Sequence, residues 1–232
     1  MKKNLLPISE IFYSIQGEGK YAGKPSVFLR VGGCNLTCHG FSEKGCDSYY
    51  AVDKSYKNEW KKLSIEEIKN EISRYLEFTP HLVITGGEPT LYYEKLYPLI
   101  EWFDGEITIE TNATIFIDFE KYPLYKNVTF AMSVKLSNSG EEYKKRVNKK
   151  SIVNIAKNAK KSFFKFVIDR NLKSEIEYII EGNKLEIFCM PLGATKEELE
   201  KNAPFVFDFC LKNGYSYSDR IHIRLFGKKK GI

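Results

Sequence analysis

Short apolar runs alternate with amphipathic stretches along most of the chain. Candidate strands lie at Val27–Val31, His81–Thr85, Glu106–Glu110, Asn127–Ser133, Ser162–Ile168, Leu185–Met190 and Arg220–Leu225. These runs are nearly continuous in apolar residues, as in strands buried on both faces of a parallel sheet. Between them the period lengthens to that of a helix. Ser64-Ile-Glu-Glu67 reads as a capping box, with Ile65, Ile68, Ile72 and Leu76 on one face behind it. Pro89 suits the first turn of a helix over Thr90–Phe103. Thr195-Lys-Glu-Glu198 opens a second boxed helix, which runs to about Lys212 and stops at Gly214. Six or seven mostly parallel strands separated by helices predict an α/β fold, either a barrel or an open sheet. In both, ligands sit at the carboxyl ends of the strands.

No Pro/Gly/Ser-rich break or repeat divides the chain, so residues 1–232 read as one domain. No apolar run approaches the ~20 residues needed to span a bilayer. The opening MKKNLLPISE lacks a signal peptide's apolar stretch, because Ser9 and Glu10 interrupt it. The protein therefore reads as cytoplasmic, with no membrane contact. With 43% apolar and 14% aromatic residues it is globular material. The net charge of +6 suits a small anionic substrate. The basic clusters at Lys144–Lys161 and Lys228–Lys230 read as solvated surfaces rather than an RNA-binding patch, so no direct nucleic-acid contact is expected.

Cysteine usage sharpens the picture. Five cysteines, an odd number in a cytoplasmic reading, argue against a disulfide framework. Cys189 in LEIFCM and Cys210 in FVFDFC are core positions. Cys34, Cys38 and Cys46 follow the first predicted strand with the spacing C-x3-C-x7-C. Their loop, rich in Gly, Asn and Lys, has no core to bury free thiols, which points to metal. A structural zinc site normally takes four protein ligands in close pairs. His39 directly follows Cys38, an awkward geometry for one ion, and no second C-x2-C is present. Three thiolates suit a cubane iron–sulfur cluster better, with one iron left open for a substrate or cofactor.

Polar residues gather at the other strand ends. Thr85-Gly-Gly-Glu-Pro89 offers Gly86 and Gly87 for close backbone approach and Glu88 as an acceptor for an ammonium group. Glu110-Thr-Asn112, Ser133-Val-Lys135 and Met190-Pro-Leu-Gly193 end later strands. Gln16-Gly17-Glu18-Gly19 precedes the first of them. Its nominal match to a dinucleotide fingerprint, Gly17-x-Gly19-x-x-Ala22, fails because Gly23 and Pro25 stand where a helix should open. Arg30, alone in an apolar strand, needs an anion, either Glu18 or a ligand.

Taken together, Gln16–Gly19, Arg30, Gly33-Cys34-Asn35-Leu36, Gly45-Cys46-Asp47-Ser48, Gly86–Pro89 and Glu110–Asn112 resemble the radical S-adenosylmethionine superfamily. Within it they resemble the 7-carboxy-7-deazaguanine synthase family, from about Ile11 to the C-terminus. The superfamily's usual spacing is C-x3-C-x2-C. The longer second gap here favours the synthase family, whose spacing in this loop varies, and Ser48 keeps the hydroxyl of that family's threonine. The resemblance implies a partial (β/α) barrel and a [4Fe–4S] cluster on Cys34, Cys38 and Cys46, with S-adenosyl-L-methionine chelated at the open iron. It assigns Gly86, Gly87 and Glu88 to the amino group of S-adenosylmethionine, and Glu110, Ser133 and Lys135 to its ribose or carboxylate. Gln16, Gly17 and Glu18 would read a pterin edge, Arg30 a carboxylate, and Ser48 would ligate Mg²⁺. The implied reaction is a carbon–nitrogen lyase step. A 5′-deoxyadenosyl radical removes hydrogen from C6 of 6-carboxy-5,6,7,8-tetrahydropterin, the ring contracts, ammonia leaves, and 7-carboxy-7-deazaguanine forms on the route to queuosine. An external one-electron reductant of the flavodoxin or ferredoxin type and a homodimer belong to the same expectation, as does closure of Arg224–Ile232 over the site. The rivals are a radical activating enzyme acting on a protein partner and a zinc-dependent RNA-binding module. The Gln16–Gly19 motif and Arg30 favour a small carboxylated substrate.

Overall fold

The computed structural model describes residues 5–41, 45–227, 229 and 231–232. Lys228 and Lys230, part of one predicted basic cluster and of the expected closing segment, lie outside the described residues.

Nine strands form one open sheet: β1 Leu6–Ile15, β2 Pro25–Val31, β3 Lys61–Leu63, β4 His81–Gly86, β5 Glu106–Thr111, β6 Thr129–Met132, β7 Lys161–Ile168, β8 Ile187–Pro191 and β9 Ser216–Tyr217. Their order is β3-β1-β2-β4-β5-β6-β7-β8-β9. Every neighbouring pair from β2 to β9 is parallel, while β1 pairs antiparallel with both β2 and β3. The helices are α1 Tyr49–Val52, α2 Ile65–Ser73, α3 Tyr93–Trp102, α4 Tyr143–Arg146, α5 Lys149–Asn158, α6 Lys173–Ile180, α7 Lys196–Asn213 and α8 Ile221–Phe226. Both predicted capping boxes form, Ser64 with Glu67 and Thr195 with Glu198, and Gly214 ends α7 in the left-handed conformation. A short 3₁₀ turn, Pro89–Tyr92, precedes α3. Among the described residues, no helix is long and apolar enough to cross a membrane.

Alternation along the strands separates two environments. Leu29, Ile84, Ile109, Phe164 and Phe166 join the buried core with Ile68, Ile72, Leu96, Leu99, Ile152, Ile155 and Phe209 of the helices. Each such side chain stabilises the fold by roughly 1.5–3 kcal/mol relative to exposure. Residues of the opposite parity, Phe28, Arg30, Thr85, Glu110, Lys165 and Val167, border a cavity. At the other end of the strands His81 is buried between Ser26 Oγ, 2.7 Å from Nδ1, and Thr108 Oγ1, 3.0 Å from Nε2. Burial lowers its pKa to about 4, so the imidazole is neutral and closes that end of the sheet's inner face.

The sheet among the described residues has more strands than the six or seven expected, because β1, β3 and β9 were not among the predicted strands. Strand β1 spans the segment where Ser9 and Glu10 interrupt the apolar run. It carries a register shift between Ile8 and Glu10, and its outer part is only half-buried. The predicted strand Arg220–Leu225 is instead α8. Its alternating I-H-I-R-L mimics a strand, but the sheet already ends at β9, and Ile223 is the α8 residue that is buried.

Candidate active site

The carboxyl ends of the parallel strands surround a cavity of about 160 Å³. Its lining includes Cys34, Cys38, Cys46, Ser48, Gly86, Gly87, Ser133 and Lys135, and also Gln16, Gly17, Glu18, Arg30 and Glu110. The structure thus brings the sequence-predicted residues to one place, with the exception of Glu88.

The cysteine loop is held by its neighbours. Gly33 accepts the Glu88 N–H at 2.9 Å. Asn112 donates to Asn35 Oδ1 at 3.0 Å, and Asn35 donates to Thr114 Oγ1 at 2.8 Å. Glu141 accepts from the backbone N–H of Cys38 at 3.0 Å and from Thr37 Oγ1 at 2.6 Å. Burial pushes all three thiols up, Cys34 to about 12, while the Lys135 ammonium opposes the rise at each. Metal-free, the thiols keep their protons, and binding iron must release them. Cys38 acts electrostatically on both Cys34 and Cys46, so the three share one space. Among the described residues no three His, Cys, Asp or Glu side chains converge on a single ion-sized point. A cubane puts each thiolate on a different iron, and three soft sulfur donors around a cavity fit that group.

The paired glycines serve this loop. A Cβ on Gly87 would stand 2.0 Å from the Gly33 carbonyl oxygen, and one on Gly86 2.2 Å from that of Val31. Both obstacles are backbone, so no rotamer relieves them. Gly87→Ala is therefore expected to destabilise the metal-free protein by about 2 kcal/mol, roughly 4–8 °C in melting temperature, as the strand end and cysteine loop separate. Calorimetry of the apo protein and iron content after anaerobic reconstitution check this, and iron loading should fall with the melting temperature.

Glu88 lies just behind the cavity lining, close enough to act electrostatically on Cys34. Its carboxylate is fully buried and accepts from Thr90 N at 3.0 Å, Thr111 Oγ1 at 2.7 Å and Asn112 N at 2.6 Å. It ties β4 to β5 beneath the site and does not border the cavity.

Arg30 also has a partner other than the predicted Glu18. Its Nε donates to Glu10 Oε1 at 2.7 Å and its Nη1 to Ser48 Oγ at 3.1 Å. Tyr50 donates to the same Glu10 oxygen at 2.9 Å. Glu18 sits instead in a second charged network that the sequence reading missed. Its Oε2 is 2.9 Å from Lys165 Nζ, and its Oε1 accepts from Arg220 Nε at 2.8 Å. Lys165 reaches Glu110 Oε1 at 2.8 Å as well, and Thr85 Oγ1 donates to Glu110 Oε2 at 2.8 Å. Arg220 donates to the Gly193 carbonyl at 2.6 Å and pairs with Asp47. His222 Nε2 stands 3.8 Å from Glu18 Oε1. Burial disfavours the Glu18 carboxylate, but Lys165 and Arg220 outweigh it and hold the group well below its ordinary range. Glu110, also opposed by burial, is likewise held down by Lys165. Ser133 accepts from Lys135 Nζ at 3.1 Å at the edge of the cysteine pocket. Ile232 borders the cavity too. The arrangement is a three-thiol pocket beside a wall that carries two ionised carboxylates and the Arg30 guanidinium.

Comparison with known proteins agrees with this arrangement. The model of the Radical SAM superfamily (SAM, S-adenosylmethionine) matches residues 29–172, more than half of the chain, which defines the class. The chain is 31% identical to the 7-carboxy-7-deazaguanine synthase of Halobacterium salinarum, over 95% of this chain and 90% of that protein. It is 30% identical to the 7-carboxy-7-deazaguanine synthase of Rhodopirellula baltica, over 97% and 88%. This chain belongs to the 7-carboxy-7-deazaguanine synthase family of that superfamily. The crystal structure of QueE from Escherichia coli shares the fold, with a TM-score of 0.72 and 23% identity over 94% of this chain and 95% of that one.

Proposed function

We propose that this chain converts 6-carboxy-5,6,7,8-tetrahydropterin into 7-carboxy-7-deazaguanine and ammonia, on the route to queuosine and related 7-deazapurines. The carrying observation is that one cavity joins the three-thiol pocket to a wall of fixed charges.

Cys34, Cys38 and Cys46 would hold a [4Fe–4S] cluster, with S-adenosylmethionine beside it against Gly86, Gly87, Ser133 and Lys135. When bound and reduced by an external electron donor, this pair supplies a carbon-centred radical that abstracts hydrogen from the substrate. The rest of the work is positioning. Glu18 and Glu110, both ionised, would accept N–H bonds from the pterin edge; the shared Lys165 groups Glu110 with Glu18, which moves it to the substrate from the S-adenosylmethionine ribose or carboxylate where the resemblance put it. Gln16 fixes the strap that carries Glu18: its Oε1 accepts the Glu18 N–H at 3.1 Å. Arg30, oriented by Glu10, would grip the substrate carboxylate through its remaining N–H groups. Ser48 is the candidate Mg²⁺ ligand. Its hydroxyl, which accepts from Arg30 Nη1 at 3.1 Å, would be the protein's hard oxygen donor to that ion. Phe12, Ile15, Phe28 and Leu192 give the cavity apolar walls that limit water around a reactive radical.

Anaerobically reconstituted protein given S-adenosylmethionine, a reductant, Mg²⁺ and the pterin is expected to yield 7-carboxy-7-deazaguanine by mass and absorbance. Cleavage of S-adenosylmethionine with the pterin returned unchanged would refute the substrate. Zinc in place of iron and sulfide would refute the cofactor.

A further inference from the structure

We propose that Lys165 is a positioning residue whose ammonium keeps Glu18 and Glu110 ionised together, so that both remain acceptors for a donor edge such as that of an aminopyrimidinone. The inference rests on the pterin reading above and deepens it.

Lys165 lies in β7 between Phe164 and Phe166, with about 5% of its side chain exposed. Extracting an ammonium group from water costs several kcal/mol unless it is paired, so its position is bound to its partners. Those partners are carboxylates from different elements, Glu18 at 2.9 Å and Glu110 at 2.8 Å. Two buried carboxylates around one point repel, and without the intervening cation one of them takes up a proton. The other groups facing the pair identify which. Glu18 keeps Arg220 at 2.8 Å, with His222 beyond, while Asp47 shares Arg220. Glu110 keeps the Thr85 hydroxyl at 2.8 Å, the Gln16 amide at 3.4 Å and the more distant Arg30, itself neutralised by Glu10. Glu110 is the carboxylate left without a close cation. A protonated Glu110 still accepts through one oxygen but presents an O–H where the ligand needs a lone pair.

The sign of the pH effect follows. In the wild type both carboxylates titrate below their usual range, so the acid limb of kcat/KM for the pterin lies low. In Lys165→Met the Glu110 carboxyl titrates higher. Activity should fall at neutral pH and recover as the solution becomes alkaline. The expected change is an acid limb raised by roughly 3–5 pH units, enough to leave only about a tenth of the activity at neutral pH, carried mainly by KM. Lys165→Arg, which restores the charge, should return the limb toward the wild type. Lys165→Gln serves if the methionine variant does not fold.

A second readout is independent of turnover. Side-chain ¹³C NMR of glutamate-labelled protein should show Glu110 ionised at pH 6 in the wild type and protonated there in Lys165→Met. A carboxylate still ionised at pH 6 in the variant would overturn the proposal. So would a slower variant whose pH profile overlays that of the wild type, since a merely structural lysine would produce it. Should the wild type leave the pterin unchanged, the substrate reading fails, and the NMR titration alone still decides the role of Lys165.

Discussion

Cys46→Ala should abolish both iron–sulfur incorporation and reductive cleavage of S-adenosylmethionine while leaving the fold in place. Cys46 stands in the loop between β2 and α1, outside the sheet and the buried cluster. Its thiol, raised well above its ordinary range by burial and by Asp47, donates to Asp47 Oδ1 at 3.3 Å. Losing that contact in the metal-free protein costs under about 1 kcal/mol, or roughly 2–4 °C in melting temperature. Losing one of three thiolates leaves a cubane with two protein ligands and a second open iron. Iron and sulfide should fall to background after anaerobic reconstitution, and 5′-deoxyadenosine formation should be undetectable. Cys210→Ala supplies the contrast, because Cys210 is buried against Cys189 on the far side of β8. It should lose roughly 1–2 kcal/mol of stability and keep its iron. Cleavage retained in Cys46→Ala would remove that cysteine from the ligand set.

The parallel strands were legible because burial on both faces leaves an unbroken apolar signal, and the capping boxes because they are local. The cysteine loop announced itself by spacing. Arg30 was conspicuous as a charge inside an apolar strand. Lys165 carries the same signal within Phe163-Phe164-Lys165-Phe166, and the same argument applied there would have found it. Its partners could not be read in that way. Glu18 lies 147 positions away and Glu110 55 positions away, and only the sheet order makes β5 and β7 near neighbours around the cavity.

Glu88 shows how much of a motif residue's surroundings stays hidden in the sequence. Its motif was legible, but the three residues that saturate its carboxylate include Thr111 and Asn112 at the end of the adjacent strand. A sequence pattern cannot tell a carboxylate aimed at a ligand from one consumed by its own fold. For Arg220 and His222 the misleading feature was periodicity. A six-residue helix is too short to display a 3.6-residue repeat against an accidental alternation.

Arg220→Met is expected to have the second large effect, because this one guanidinium joins three segments that share little else. It holds Glu18 of the loop after β1, Asp47 of the cysteine loop and the Gly193 carbonyl after β8. It does so from the residue that opens α8, whose Ile221 N–H donates to the Gly17 carbonyl at 3.1 Å. Next to that bond a Cβ on Gly17 would lie 2.4 Å from His222 Nδ1, so the strap and α8 are closely packed. Removing one partner of a buried charged network costs about 3 kcal/mol, because Glu18 is left beside Lys165 alone and the Gly193 carbonyl loses its donor. For a chain of this size that corresponds to a melting temperature lower by roughly 6–12 °C. The chemical consequence is larger than the thermal one. If Glu18 positions the substrate and Cys46, next to Asp47, holds the cluster, as proposed, a shift of about 1 Å between them misaligns the donor and acceptor of the hydrogen transfer, at a cost near 100-fold in kcat/KM. Arg220→Lys can restore one ion pair but cannot span all three partners, and it should recover stability more than turnover. If Arg220→Met instead kept the wild-type kcat/KM for the pterin below its melting transition, the network would be scaffolding alone, and alignment of the strap with the cysteine loop would have to come from the packing of Gly17 against His222.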